Sequence, residues 1–314
     1  MRAAAITDVM LTHSLALFLG PRIVNVLWNY LHFVVPIFIF CSGWVTHYQK
    51  SHNTNINQIF GWYRKRIFRL YLPYLGYLTV YYVLNGFPST KNLLVSLTLV
   101  GGMDISWLTL LFLQLTLITP IMVYIRRNNQ LSSIFLILLG LFALVMVFFP
   151  IPSGLSRAVA WIPWSGIYLL GMLYAKEEQH IPLRFFILIT TASTIFFLIL
   201  NGCLIYLQRP LTLTLHKYPP DLFYLSYGFT VNSVLLLIIK TIKSLPKILM
   251  FAITFLSRYS YGLFFIHLLT LTILNKITGA KFAIIPVICI SIVSSITFLY
   301  IFDLLFTIMK RNTR

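Results

Sequence analysis

Residues 131–150 read LSSIFLILLGLFALVMVFFP, twenty positions without a charge. A helix rises about 1.5 Å per residue, so the run reaches ~30 Å, the depth of a bilayer's hydrocarbon core. Nine comparable runs lie around it, at 3–20, 29–48, 69–87, 105–125, 158–175, 184–207, 221–239, 258–275 and 282–308. The composition agrees: 59% of the 314 residues are hydrophobic, 10% are charged and the mean hydropathy is +0.88. A soluble domain carries about a quarter charged residues, so both a soluble globule and a disordered chain are excluded. The reading is an all-α, polytopic membrane protein with about ten transmembrane helices in one bundle.

Pro36, Pro73 and Pro163 interrupt apolar runs, which neighbouring helices in a bundle tolerate. The apolar stretch 93–102 is short and ends in Gly-Gly, so it reads as an interfacial or re-entrant piece. The longest polar stretch is 49–66, too short for a soluble domain; residues 1–308 therefore form one membrane domain and 309–314 a basic cytoplasmic tail. The first run begins at residue 3 behind one arginine and shows no small-residue cleavage site, so it reads as a retained helix and not a signal peptide.

A net charge of +18 would point to nucleic acid in a soluble protein. Here its distribution matters more. With the N-terminus in the cytoplasm, seventeen of the 24 Lys and Arg fall on the inner side, including Lys50, Arg64, Lys65, Arg66, Arg69, Arg126, Arg127, Lys176, Lys240, Lys243 and Arg314. Seven fall outside: Arg22, Lys91, Arg157, Arg209, Lys217, Lys276 and Lys281. The positive-inside rule then gives N-in and C-in, consistent with an even helix number. The basic balance encodes topology, and no nucleic-acid partner is expected.

Cys41, Cys203 and Cys289 sit in apolar runs without paired spacing, and no His, Asp or Glu cluster has ligand spacing, so no metal is expected. An ionisable group at membrane depth is a functional candidate. Arg2, Asp8 and His13 lie on the first run. Arg2 and His13 are eleven residues apart, three helical turns plus about 20°, so they share a face and are separated axially by ~16 Å. Asp8 falls on another face. His267 lies at similar depth in the run 258–275, and Arg66 and Arg69 share a face at i, i+3.

Five stretches in order carry a resemblance: Arg2 to His13, spaced Arg-x10-His; Val35-Pro36-Ile37-Phe38-Ile39-Phe40-Cys41-Ser42-Gly43; Arg64-Lys65-Arg66-Ile67-Phe68-Arg69 with Pro73; Ser106-Trp107-Leu108; and Ser257-Arg258-Tyr259-Ser260-Tyr261-Gly262 with His267. Together they resemble the membrane-bound acyltransferase 3 family across nearly the whole chain. The resemblance implies an integral-membrane O-acetyltransferase of the bacterial cytoplasmic membrane. It would move an acetyl group from cytoplasmic acetyl-CoA to a hydroxyl of a surface glycan or lipid-linked sugar, with acyl-CoA as donor substrate and no permanently bound cofactor. It further implies His13 and His267 as catalytic residues and Arg2, Arg66 and Arg69 as the donor's phosphate ligands. Ser42, Trp107, Tyr218 and Tyr261 would contact substrate. Asp8 departs from the family's usual apolar residue, and the chain carries no fused hydrolase-like domain.

Each residue also has a plainer reading. His13 and His267 could make interhelical hydrogen bonds, and Ser42-Gly43 could serve close packing. Trp107 suits an aromatic belt. The loop His216-Lys217-Tyr218-Pro219-Pro220-Asp221 suits a rigid turn, and the run 64–69 suits a topology determinant. His47, His52 and His180 read as solvated loop residues. An exporter or flippase of a glycan or small molecule uses similar intramembrane polar groups, although the chain shows no internal repeat of the kind common in transporters.

Overall fold

The computed structural model describes residues 1–48, 56–101, 103, 105–178, 180–242, 244–278 and 284–312. His52, with Lys50, Lys243, Lys281 and Arg314 of the charge count, lies outside them. The described residues form thirteen α-helices and no β-strand: α1 (Arg2–Leu15), α2 (Arg22–Tyr30), α3 (Val34–Tyr48), α4 (Ile56–Asn85), α5 (Thr90–Leu97), α6 (Ser106–Arg127), α7 (Asn129–Phe148), α8 (Ser153–Val159), α9 (Trp161–Glu177), α10 (Leu183–Tyr206), α11 (Leu222–Thr241), α12 (Lys247–Thr278) and α13 (Ile284–Asn312).

Eight segments among the described residues are long and apolar enough to cross a membrane. They coincide with eight of the ten runs read from the sequence. The other two are helical but fall short for different reasons. α1 has 14 residues before a 3-10 turn at Ala16–Phe18, a rise of ~21 Å. α4 is 30 residues long, but it carries Arg64, Lys65, Arg66 and Arg69 and then five tyrosines between 71 and 82, which dilute its apolar character. The stretch 93–102 begins as the short helix α5 and ends in a turn.

A single bundle was expected, and the helices group into two packed units. The first holds α3, α4 as far as Tyr74, and α5 to α11; the second holds α1, α2, α4 from Leu75, α12 and α13. The division falls beside Pro73, the proline inside α4, where a backbone hydrogen bond is lost.

In the first unit, α3 and α9 cross at two glycines. A Cβ on Gly43 would lie 2.0 Å from the Tyr168 carbonyl oxygen, and one on Gly171 would lie 2.1 Å from that of Phe40. Small residues let membrane helices approach this closely. The fully buried Tyr168 of α9 ties the crossing, its Oη donating to Thr46 Oγ1 of α3 at 2.9 Å. Overpacking a tight core costs about 1–3 kcal/mol and more when backbone must move. Gly43→Ala or Gly171→Ala is therefore expected to lower the melting temperature in detergent, whereas Gly61→Ala, with nothing near its Cβ position, is expected to leave it unchanged.

One end of this unit gathers basic residues. Arg126 and Arg127 close α6, Lys176 lies in the last turn of α9, and Lys240 in that of α11. Cations at helix C-termini complement the dipole. Glu178 organises this end, accepting from Trp44 Nε1 at 3.0 Å and Tyr48 Oη at 3.1 Å, while Lys240 Nζ donates to its carbonyl at 3.0 Å. His47 is no solvated loop residue: it lies in the last turn of α3, and its Nδ1 accepts from Arg126 Nη1. His180 is exposed, as expected.

In the second unit α1 packs on both α12 and α13. Ala3, Ala5 and Ile6 of α1 are buried. The Ser14 and Ser291 hydroxyls meet at 3.1 Å, and Ser295 Oγ donates to Thr270 Oγ1 at 3.3 Å. Short side chains and hydroxyl pairs are how helices associate where lipid removes the hydrophobic drive.

Candidate active site

Three polar centres are built into these units. The first, in the second unit, is a pair of histidines. His13 lies in the last turn of α1 and His267 lies within α12, and their rings stack with centroids 6.2 Å apart at 21°. Phe264, one turn before His267, places its ring 5.9 Å from that of His13. His267 is fully buried and His13 half-buried. The carbonyls of Met10 and Ser291 lie near the His267 ring, and neither of its nitrogens has a hydrogen-bond partner among the described residues. Two imidazoles 254 positions apart in sequence thus meet ring to ring. Asp8 is buried on the same helix with Oδ2 unsatisfied. Arg2 is half-buried at the start of α1, and Tyr261 is half-buried on α12 with its ring edge on Phe265 at 5.1 Å.

The second centre is Arg66 in the first unit. Its Nε donates to Thr116 Oγ1 at 3.1 Å, Nη1 to Thr46 Oγ1 at 3.2 Å, and Nη2 to Ser42 Oγ at 3.0 Å. Thr46 also accepts from Tyr168 Oη at 2.9 Å, which in turn pairs with Thr119 at 2.9 Å. Trp62 lies 5.2 Å from the guanidinium carbon, within cation–π range. Thr116 is ten residues into the 22-residue α6, so the guanidinium is held at the middle of that helix and not at its basic end. Arg69, one turn further along α4, is exposed. The two arginines share a helix face but not a surrounding. The Ser-Gly motif also divides its work: Gly43 makes the close crossing, and Ser42 binds Arg66.

The third centre brings Trp107 and Tyr218 together. Their rings meet edge to face at 4.7 Å, and Lys217 Nζ lies 5.3 Å and 5.1 Å from the two ring centres. They line a cavity of about 250 Å³ with Gln114, Ser156 and Arg157. Arg157 Nη1 donates to Ser106 Oγ at 2.9 Å and to the Leu99 carbonyl at 3.3 Å. Gln114 and Arg157 are site residues that the motif reading missed. A signal existed, since Gln114 is the sole amide in the run 105–125 and Arg157 stands alone at the edge of the run 158–175.

The loop behind Tyr218 is tied down by His216. Its Nδ1 pairs with Asp221 and its Nε2 meets the Pro210 carbonyl at 2.8 Å, while Asp221 Oδ1 caps α11 at Tyr224 N, 3.0 Å. Both ring nitrogens face acceptors, so the fully bonded form is the imidazolium. Burial alone would lower the His216 pKa, but the hydrogen bond and charge of Asp221, with the Pro210 carbonyl, raise it above the ordinary 6.5. A raised folded-state pKa gives stability that is full below about pH 6.5 and is lost as pH rises through the folded value. Lys217 runs the other way: burial pushes its ammonium down to about 7, so falling pH costs stability until that value. In a Lys217→Met background, then, the melting temperature is expected to fall as pH rises from 6 to 8. Adding His216→Gln should flatten that profile.

Among the described residues no group of three or more His, Cys, Asp or Glu comes together that could hold a metal. A family model described as an acyltransferase domain matches residues 1–304. The chain belongs to this acyltransferase 3 family, and its apolar helices make it a multi-pass membrane protein. No curated protein and no solved structure matches it.

Proposed function

We propose that the protein is an O-acetyltransferase that takes acetyl from cytoplasmic acetyl-CoA and transfers it to a hydroxyl of a surface glycan or lipid-linked sugar in the bacterial cytoplasmic membrane. The observation that carries this reading is the stacking of the half-buried His13 on the buried His267, within a chain of an acyltransferase family. α1 and α4 supply the two crossings beyond the eight apolar ones, giving ten spans with both termini inside. The basic end of the first unit is then cytoplasmic by the positive-inside rule, and the Trp107 cavity opens toward the outer side.

His13 acts as general base. Imidazole as a side-chain type can exchange a proton near neutral pH, which suits removal of a hydroxyl proton. The acceptor oxygen attacks the thioester carbonyl, the carbon–sulfur bond breaks, and the thiolate takes the proton back from the imidazolium. His267 orients the acceptor or stabilises charge on the carbonyl. Arg2 and the exposed Arg69 meet the donor's phosphates, for which guanidinium forks are suited. Arg66, oriented by three hydroxyls, is a further donor-phosphate ligand. Trp107, Tyr218 and Tyr261 contact the acceptor.

The deciding experiment is release of free CoA from acetyl-CoA by the purified protein, with and without a glycan acceptor. Acceptor-dependent release is expected. Movement of glycan across vesicles with no CoA release would make the protein an exporter or flippase.

A further inference from the structure

We infer that the Trp107–Tyr218 cavity selects a sugar ring that carries an anionic group, with the ring packed on the two aromatic side chains and the anion on Arg157. This rests on the glycan-acceptor reading and specifies its substrate class.

The size comes first. About 250 Å³ is below the ~300–1,000 Å³ typical of pockets for drug-sized ligands, a size that suits one sugar ring. The walls are next. Trp107 and Tyr218, edge to face at 4.7 Å, offer large apolar surfaces to the C–H face of a pyranose, and aromatic side chains with few polar groups characterise small-ligand sites.

Charge and hydrogen bonding then narrow the ligand. Among the described residues, both side-chain hydrogen bonds of Arg157 leave from Nη1, to Ser106 and Leu99. They fix the guanidinium and leave Nε and Nη2 for a ligand, and a guanidinium edge fits the paired oxygens of a carboxylate or phosphate. Gln114 is oriented in the same way: Nε2 donates to the Arg157 carbonyl at 3.1 Å, while Oε1 is buried without a donor among the described residues. A sugar hydroxyl supplies that donor. Lys217 over the aromatic pair adds positive potential when charged. No carboxylate lines the cavity among the described residues, and Asp221 is engaged by His216 and the α11 N-terminus. A neutral sugar would leave the Arg157 edge unused.

The anion can belong to the ring itself, as in a uronic acid, or to the phosphate of a lipid-linked sugar. The test uses the full-length protein in nanodiscs without acetyl-CoA, with methyl glucuronide, glucose 1-phosphate and methyl glucoside as probes, read by titration calorimetry or native mass spectrometry. At least one charged probe is expected to bind tenfold or more tightly than the neutral one, and whichever binds better identifies the source of the anion. Arg157→Gln should abolish that preference while the neutral probe still binds. Should that variant fail to fold, Gln114→Glu, which places a carboxylate in the cavity, should repel the charged probes selectively. Equal binding of charged and neutral probes, no binding of any, or a preference unchanged in the variants overturns the inference. Probe binding needs no donor, so a protein that binds charged sugars yet releases no CoA sinks only the transferase reading. One that acetylates neutral glycans equally well sinks only this one.

Discussion

His13→Ala is expected to lower acetyl transfer by about 10²–10⁴-fold, the usual worth of a positioned general base. Folding should survive, because interhelical hydrogen bonds in membranes average only about 0.6 kcal/mol and the packing of α1 against α13 rests also on the Ser14–Ser291 pair. The check is single-turnover transfer alongside a melting curve in the same detergent. A histidine that only packs against Phe264 and His267 gives the reverse pattern: lost stability and near-normal turnover in the protein that remains. His267→Ala separates the two rings' roles. Its ring is fully buried, so it should cost more stability than His13→Ala but less turnover if it only orients the acceptor. Abolished transfer in His267→Ala with unchanged transfer in His13→Ala would move the base to α12.

The second large effect concerns the arginine pair. Charge-assisted hydrogen bonds are worth about 1.5–3 kcal/mol each, or roughly 10- to 150-fold in affinity. Arg69→Ala is expected to raise the Michaelis constant for acetyl-CoA by that factor with an unchanged melting temperature, since Arg69 is exposed. Arg66→Ala should also weaken donor binding and in addition destabilise the protein, because it leaves the hydroxyls of Ser42, Thr46 and Thr116 without their shared cation. Arg66→Lys keeps the charge but cannot reproduce the fork, so it should recover only part of either loss. An unchanged acetyl-CoA Michaelis constant in all three variants would assign both residues to topology and packing.

The two arginines mark where sequence reading stopped. Their spacing placed them on one helix face, which holds, but the face says nothing of what stands opposite. Arg66 meets hydroxyls from α3 and α6, whereas Arg69, three residues on, is exposed. The Ser42-Gly43 pair was open between substrate contact and packing for the same reason. Its two residues turned out to have different neighbours, Arg66 for one and the Tyr168 backbone for the other.

What the sequence determined alone is what short-range physics encodes. Apolar runs of membrane length, closed by cations and prolines, set the helices; the order of five motifs marked the acyltransferase family; and residue type singled out His13 and His267. Tertiary structure decided which side chains meet: His13 with His267, Gly43 with the α9 backbone, and Trp107 with Tyr218, Gln114 and Arg157 around one cavity. The reason is that helix formation depends on neighbours three or four residues away. Apart from Trp107 and Gln114, which share α6, each of these meetings instead closes a loop of tens to hundreds of residues, and its geometry is set by how whole helices cross.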